Sequence, residues 1–126
     1  MSQSELVRLE RIGNRNVIRF TQRNLSKRLI AQNASEQISV LLATNFGAAV
    51  SPQEATNADD DRSLEIDFGY VQAISSATLS GLIQIHREAR VLGVSLELVN
   101  MIDPVREIFK LTRLDRLFMM PKIEMV

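Results

Sequence analysis

The 126-residue chain contains no cysteine. That absence excludes disulfides, thiol nucleophiles and cysteine-based zinc sites. Tryptophan is also absent, and there is a single histidine, His86. One imidazole leaves little for a Ser–His pair or a metal centre to draw on. Neither sign of charge is in surplus: Lys+Arg and Asp+Glu both number 15, for a formal net charge of zero. Nonspecific nucleic-acid binding needs a basic surplus or a basic face, so nucleic acid is not an expected partner. No apolar run approaches the ~20 residues that cross a bilayer. Met1-Ser2-Gln3-Ser4-Glu5 lacks a basic region followed by an apolar run, so no signal peptide is expected. A cytoplasmic location follows as the default.

What is present is ordinary for a soluble globular protein: 45% apolar and 24% charged residues. The length suits one domain spanning 1–126. Zero net charge gives little electrostatic protection against self-association.

Along the chain, residues 6–12 alternate Val7 and Leu9 with charges, Gly13-Asn14 signals a turn, and Val17-Ile18-Arg19-Phe20 follows. The expectation is a β-hairpin over 6–20. Ser26 is placed to cap a helix whose apolar stripe is Ile30, Ala34, Ile38, Leu41 and Leu42. It should end near Asn45–Gly47. Residues 47–62 have no periodicity and are expected to form a long mobile loop. The Asp59-Asp60-Asp61 run within it lacks the interleaving and glycine of a calcium loop and is taken as a solvated turn.

Leu64-Glu65-Ile66-Asp67-Phe68 predicts a central strand, with Glu65 and Asp67 on its exposed polar face. A clear amphipathic helix follows, with Leu79, Leu82, Ile83, His86 and Ala89 on one face and Gln84, Arg87, Glu88 and Arg90 on the other. Gly93 ends it, and Ser95–Val99 is the next strand. Asp103-Pro104 starts a further helix, with Val105, Ile108, Phe109 and Thr112 facing inward. Leu117–Met120 predicts a short final strand before Pro121. The expected order is β-β-α-(loop)-β-α-β-α-β, an α/β domain with a partly parallel sheet.

The search for catalytic chemistry returns no nucleophile with a base, no metal-ligand set and no cofactor. His86 sits at the edge of a core face. Neither G-x-x-x-x-G-K-[ST] nor G-x-G-x-x-G occurs. The remaining feature is Ser75-Ser76, where a strand gives way to a helix, the end of an α/β sheet that commonly receives ligands or partners. One hydroxyl there can cap the helix, a contribution of about 1 kcal/mol. A phosphate on either would face the positive end of the helix dipole and add nearly two negative charges to the surface.

Ile66-Asp67-Phe68-Gly69-Tyr70-Val71-Gln72-Ala73-Ile74-Ser75-Ser76-Ala77-Thr78-Leu79 resembles the signature strand–turn–helix of STAS domains, the anti-sigma factor antagonist family. Gly93–Val99 followed by Asp103–Leu114 resembles that family's last strands and third helix. The resemblance covers roughly Leu64 to Phe118. It implies a single STAS-like domain with a four- or five-stranded mixed sheet and helices mainly on one face. It also implies a bacterial signalling protein that binds other proteins and has no catalysis of its own. In the best-known branch, the antagonist binds an anti-sigma factor that is also a serine kinase. Phosphorylation at the helix start ends that complex, and so regulates transcription. By position that serine is Ser75, with Ser76 as its neighbour. The branch usually has Asp before this serine and Gly two residues after it; here those places hold Ile74 and Ala77.

Three functions are thereby set against one another. The first is a partner-switching antagonist or scaffold that docks through Ile74, Ser75, Ser76, Thr78, Leu79 and the helix they begin. The second is a constitutive interaction or assembly domain whose serines only cap, with a homodimer through the hairpin edge as one form. The third, a small-ligand or nucleotide-binding domain, ranks last for want of a phosphate-binding motif.

Overall fold

The structure is a computed structural model, and it describes residues 5–47 and 62–120. The expected loop over 47–62 lies outside the described residues except for its two ends, Gly47 and Arg62.

Strand β1 (Val7–Ile12) turns at Gly13, whose φ of 60° is readily reached only without a side chain, and pairs antiparallel with β2 (Arg15–Phe20). Helix α1 (Arg28–Phe46) leads toward β3 (Ser63–Asp67), which lies parallel to β2 with Ile18 beside Ile66. Helix α2 (Ser76–Leu92) returns the chain to β4 (Ser95–Val99), parallel to β3. Helix α3 (Asp103–Leu111) and a 3₁₀ turn (Leu114–Arg116) complete the described chain. The result is a mixed four-stranded sheet in the order β1-β2-β3-β4.

The period-two pattern decides which face is covered. Ile18, Phe20, Leu64, Ile66, Leu96 and Leu98 are buried together with the apolar stripes of the helices. The opposite face carries Arg15, whose guanidinium makes two 2.6 Å bonds to the Glu65 carboxylate. On the same face Arg19 lies 3.7 Å from Glu10 and 3.8 Å from Asp67. Phe68 stands at the centre of the core, its ring 5.0 Å from Phe20 and 6.2 Å from Phe109. Phe109 in turn meets Phe118 edge-on. Edge-to-face packing of this kind adds to simple area burial.

Arg62 ties the two long helices together. Its guanidinium donates to the Phe46 carbonyl at 3.0 Å and to the Leu92 carbonyl. A cation thus sits at the negative, carbonyl-bearing ends of α1 and α2 at once.

Several local expectations change. Ser26 does not cap α1; its N–H and hydroxyl both bond to Asn24 Oδ1, and Lys27 holds the cap position. Asn24 competes for Ser26 as the acceptor of a local Asx turn. Helix α3 does start at Asp103-Pro104, but Ile102 holds the cap position and Asp103 lies in the first turn, with no side-chain cap bond. Thr112 is exposed and bonds back to the Ile108 carbonyl at 2.8 Å. The final strand reduces to a single bridge between Met119 and Glu97, with Leu98 N–H donating to the Met119 carbonyl at 2.8 Å. The 3₁₀ turn and the burial of Phe118 against Phe109 and His86 leave one residue alongside β4.

Candidate functional site

The segment from β3 to α2 is held at both ends. Gly69 N–H donates to Asp67 Oδ1 at 2.7 Å, turning the chain as β3 ends. Leu25 N–H then donates to the Ala73 carbonyl at 2.8 Å, and Gln72 N–H to the Arg23 carbonyl at 2.7 Å. A parallel bridge between Asn24 and Ala73 carries the β2–β3 pairing past the end of the strands.

Ser75 occupies the cap position of α2 in extended conformation, φ −135° and ψ −179°. Its N–H donates to Thr78 Oγ1 at 3.3 Å, and Thr78 Oγ1 donates to the Leu25 carbonyl at 2.8 Å. Ser75 and Thr78 stand in the positions of a capping box. The Ser75 N–H half closes on Thr78 Oγ1, whereas the buried Ser75 Oγ faces the Thr78 backbone without reaching hydrogen-bond geometry. Ser76, the first helical residue, is exposed.

The five residues expected at the docking surface therefore separate. Ile74, Thr78 and Leu79 are buried and support the turn from beneath. Ser75 is half-buried, and Ser76 faces solvent. Alternation at the strand end and the period of α2 send the apolar residues inward, and the Thr78 hydroxyl goes with them because Leu25 offers an acceptor.

Ser76 opens onto a groove of about 1020 Å³ between α1 and α2. Arg28, Gln32, Ser35, Ser39, Ser80 and Gln84 help line it. The helices approach closely at its floor, where a Cβ on Gly81 would fall 1.9 Å from Ser35 Oγ. The α1 side of this groove was missed by sequence reasoning. The usable signal was the small residues four apart, Ala31-Ser35-Ser39 on α1 and Ala77-Gly81 on α2, which let helix backbones approach.

His86 packs edge-on against Phe118 at 5.4 Å, well away from the turn in the helix sequence. Burial, and then the nearby Arg90 charge, hold its imidazole below the ordinary value of 6.5. Among the described residues no three His, Cys, Asp or Glu side chains gather as a metal site would require, and no helix is long and apolar enough to cross a membrane.

A family model described as the Mlab, STAS domain matches residues 33–122. No curated protein sequence matches the chain. Among solved structures, a Thermotoga maritima protein proposed to be an anti-sigma factor antagonist superposes with a TM-score of 0.61 at 14% identity, covering 93% of this chain and 86% of its own. The anti-sigma factor antagonist SpoIIAA in its unphosphorylated form gives 0.53 at 17% identity, covering 94% and 89%. The phosphorylated form of the Bacillus cell-fate determinant SpoIIAA gives 0.55 at 19% identity, covering 92% and 91%.

Proposed function

The chain belongs to the STAS domain family, and on that premise we propose that it is a non-catalytic regulatory module that docks a protein partner at the start of α2. The partner class is an anti-sigma factor with serine-kinase activity, as the fold likeness to anti-sigma factor antagonists suggests. Docking uses the exposed Ser76, the half-buried Ser75 and the polar groove beside them. One observation carries this reading: a solvent-facing hydroxyl at the first position of a helix, on a turn held in place by the Thr78–Leu25 bond.

Ser76 is the better phosphoacceptor of the pair, because the Ser75 oxygen is buried and a kinase reaches hydroxyls from solvent. A phosphate on Ser76 would lie by the free N–H groups of α2, which favour negative charge. It would also fill the mouth of the groove and repel a partner that approaches there.

Incubation with a candidate kinase partner and ATP, followed by mass spectrometry, tests the switch. The expected product carries phosphate on Ser76, and Ser76→Asp binds the partner at least tenfold more weakly than Ser76→Ala. The second reading, a constitutive docking domain, is favoured by Ile74, which puts an apolar buried residue directly before the serines. On that reading Ser76→Asp and Ser76→Ala bind equally.

A further inference from the structure

Among the described residues, β1 is the sheet edge with no strand beside it; the outer edge of β4 is met by Met119. The phase of the ladder fixes what β1 offers there. Thr21 N–H donates to the Leu6 carbonyl at 2.9 Å, and the register pairs Val7 with Phe20. In an antiparallel ladder, bonded and non-bonded pairs alternate. Residues 8, 10 and 12 therefore turn their backbone groups toward β2, and Leu9 turns its own outward, with Val7 and Arg11 in the same phase. Val7 N–H is partly occupied by Gln37 Oε1 at 3.3 Å, so the centre of the edge is Leu9. The strand pairs with β2 without interruption and contains no proline, lysine or bulge; its charges, Arg8, Glu10 and Arg11, are of both signs and so can pair across an edge as well as blunt it.

We propose that this edge joins two copies of the chain, β1 against β1, antiparallel and centred on Leu9. The charge sequence selects that register. With Leu9 opposite Leu9 of the second copy, Leu9 exchanges both backbone bonds, Arg8 lies opposite Glu10, and Glu10 lies opposite Arg8. Those cross-strand pairs fall at the non-bonded positions, where side chains approach most closely. A shift of two residues one way sets Arg8 against Arg8; the other way sets Glu10 against Glu10. Every neighbouring register with the same backbone phase thus opposes like charges. The existing partners of these side chains are weak surface pairs: Arg8 with Glu5 at 2.9 Å, both more than half exposed, and Glu10 with Arg19 at 3.7 Å. Both re-pair without uncovering a buried charge. The zero net charge adds no general repulsion between copies.

Sedimentation of the purified chain from micromolar to millimolar concentration tests this, independently of docking at Ser76. The expected result is a concentration-dependent dimer. Arg8→Glu and Glu10→Arg should each raise its dissociation constant about tenfold, since each places like charges opposite one another twice in the symmetric pair. The double variant, with the charges exchanged, should recover the dimer. A chain that is monomeric throughout, single variants that dimerise like the parent, or a double variant that fails to recover would each overturn the proposal. Circular dichroism confirms that each variant is folded.

Discussion

Gly81 and Ser35 face each other across the α1–α2 contact so closely that a Cβ on Gly81 would lie 1.9 Å from the Ser35 oxygen and 2.9 Å from its Cβ. A glycine inside a helix costs about 1 kcal/mol relative to alanine. Here the close approach of two helices explains its presence.

Gly81→Ala should therefore destabilise despite the gain in helix propensity. Overpacking costs about 1–3 kcal/mol, against a propensity gain of about 1. Thermal unfolding should show a lower Tm for Gly81→Ala. In a Ser35→Gly background, which lacks the colliding Oγ and Cβ, Gly81→Ala should cost far less. Equal loss in both backgrounds would mean that Gly81 is kept for some other reason.

Thr78 tests the support beneath the turn. Thr78→Val keeps the shape but removes both the acceptor for Ser75 N–H and the donor to the Leu25 carbonyl. Leaving those groups buried without partners costs about 1–3 kcal/mol. Thr78→Ser retains the hydroxyl and should lose less. Chemical denaturation of the three proteins provides the comparison.

The two serines should behave differently in the absence of any partner. A cap serine usually contributes about 1 kcal/mol. The Ser75 oxygen has no bond to lose, so Ser75→Ala should change stability by clearly less than that. Ser76→Asp should stabilise the free protein by about 0.3–1 kcal/mol, because it adds negative charge to the first turn of a helix that has none there. The same denaturation assay measures both.

Acid should weaken the fold in two windows. The folded state holds His86 below its ordinary 6.5, so the unfolded chain takes up that proton first. Its contribution is complete above about pH 6.5 and is lost as pH falls below it. Glu65 is also held below its ordinary 4.5, chiefly by the hydrogen bond from Arg15. Its contribution is lost at lower pH, as the carboxylate protonates. His86→Gln should flatten the upper part of the acid limb and leave the lower part. Glu65→Gln should do the reverse. Tm measured from pH 8 to pH 3 separates them.

The strand pattern of β1, β2 and β3 and the start of α2 were legible in the sequence because each rests on a local period or a local cap. Leu117–Met120 was not. A short apolar run looks the same whether it continues a sheet or, as here, sends Phe118 into the core and leaves Met119 as a single bridge. Ser26 misled for a similar reason, since Asn24 two residues earlier captured both of its polar groups. At the site, sequence located the Ser75-Ser76 turn but could not say which hydroxyl faces water. That choice depends on the Thr78 bond to Leu25, a residue 53 positions away. The groove is not legible in the sequence because one wall comes from α1 and the other from α2.

The pairing of residues 23–25 with residues 72–73 has a kinetic consequence. On the proposed docking role, a turn fastened in this way before encounter needs no folding step to receive a partner, and little ordering entropy is lost there on association. Association should then proceed at the rate of oriented collision. Changes at Ser76 or along the groove would be felt chiefly in how long the complex lasts.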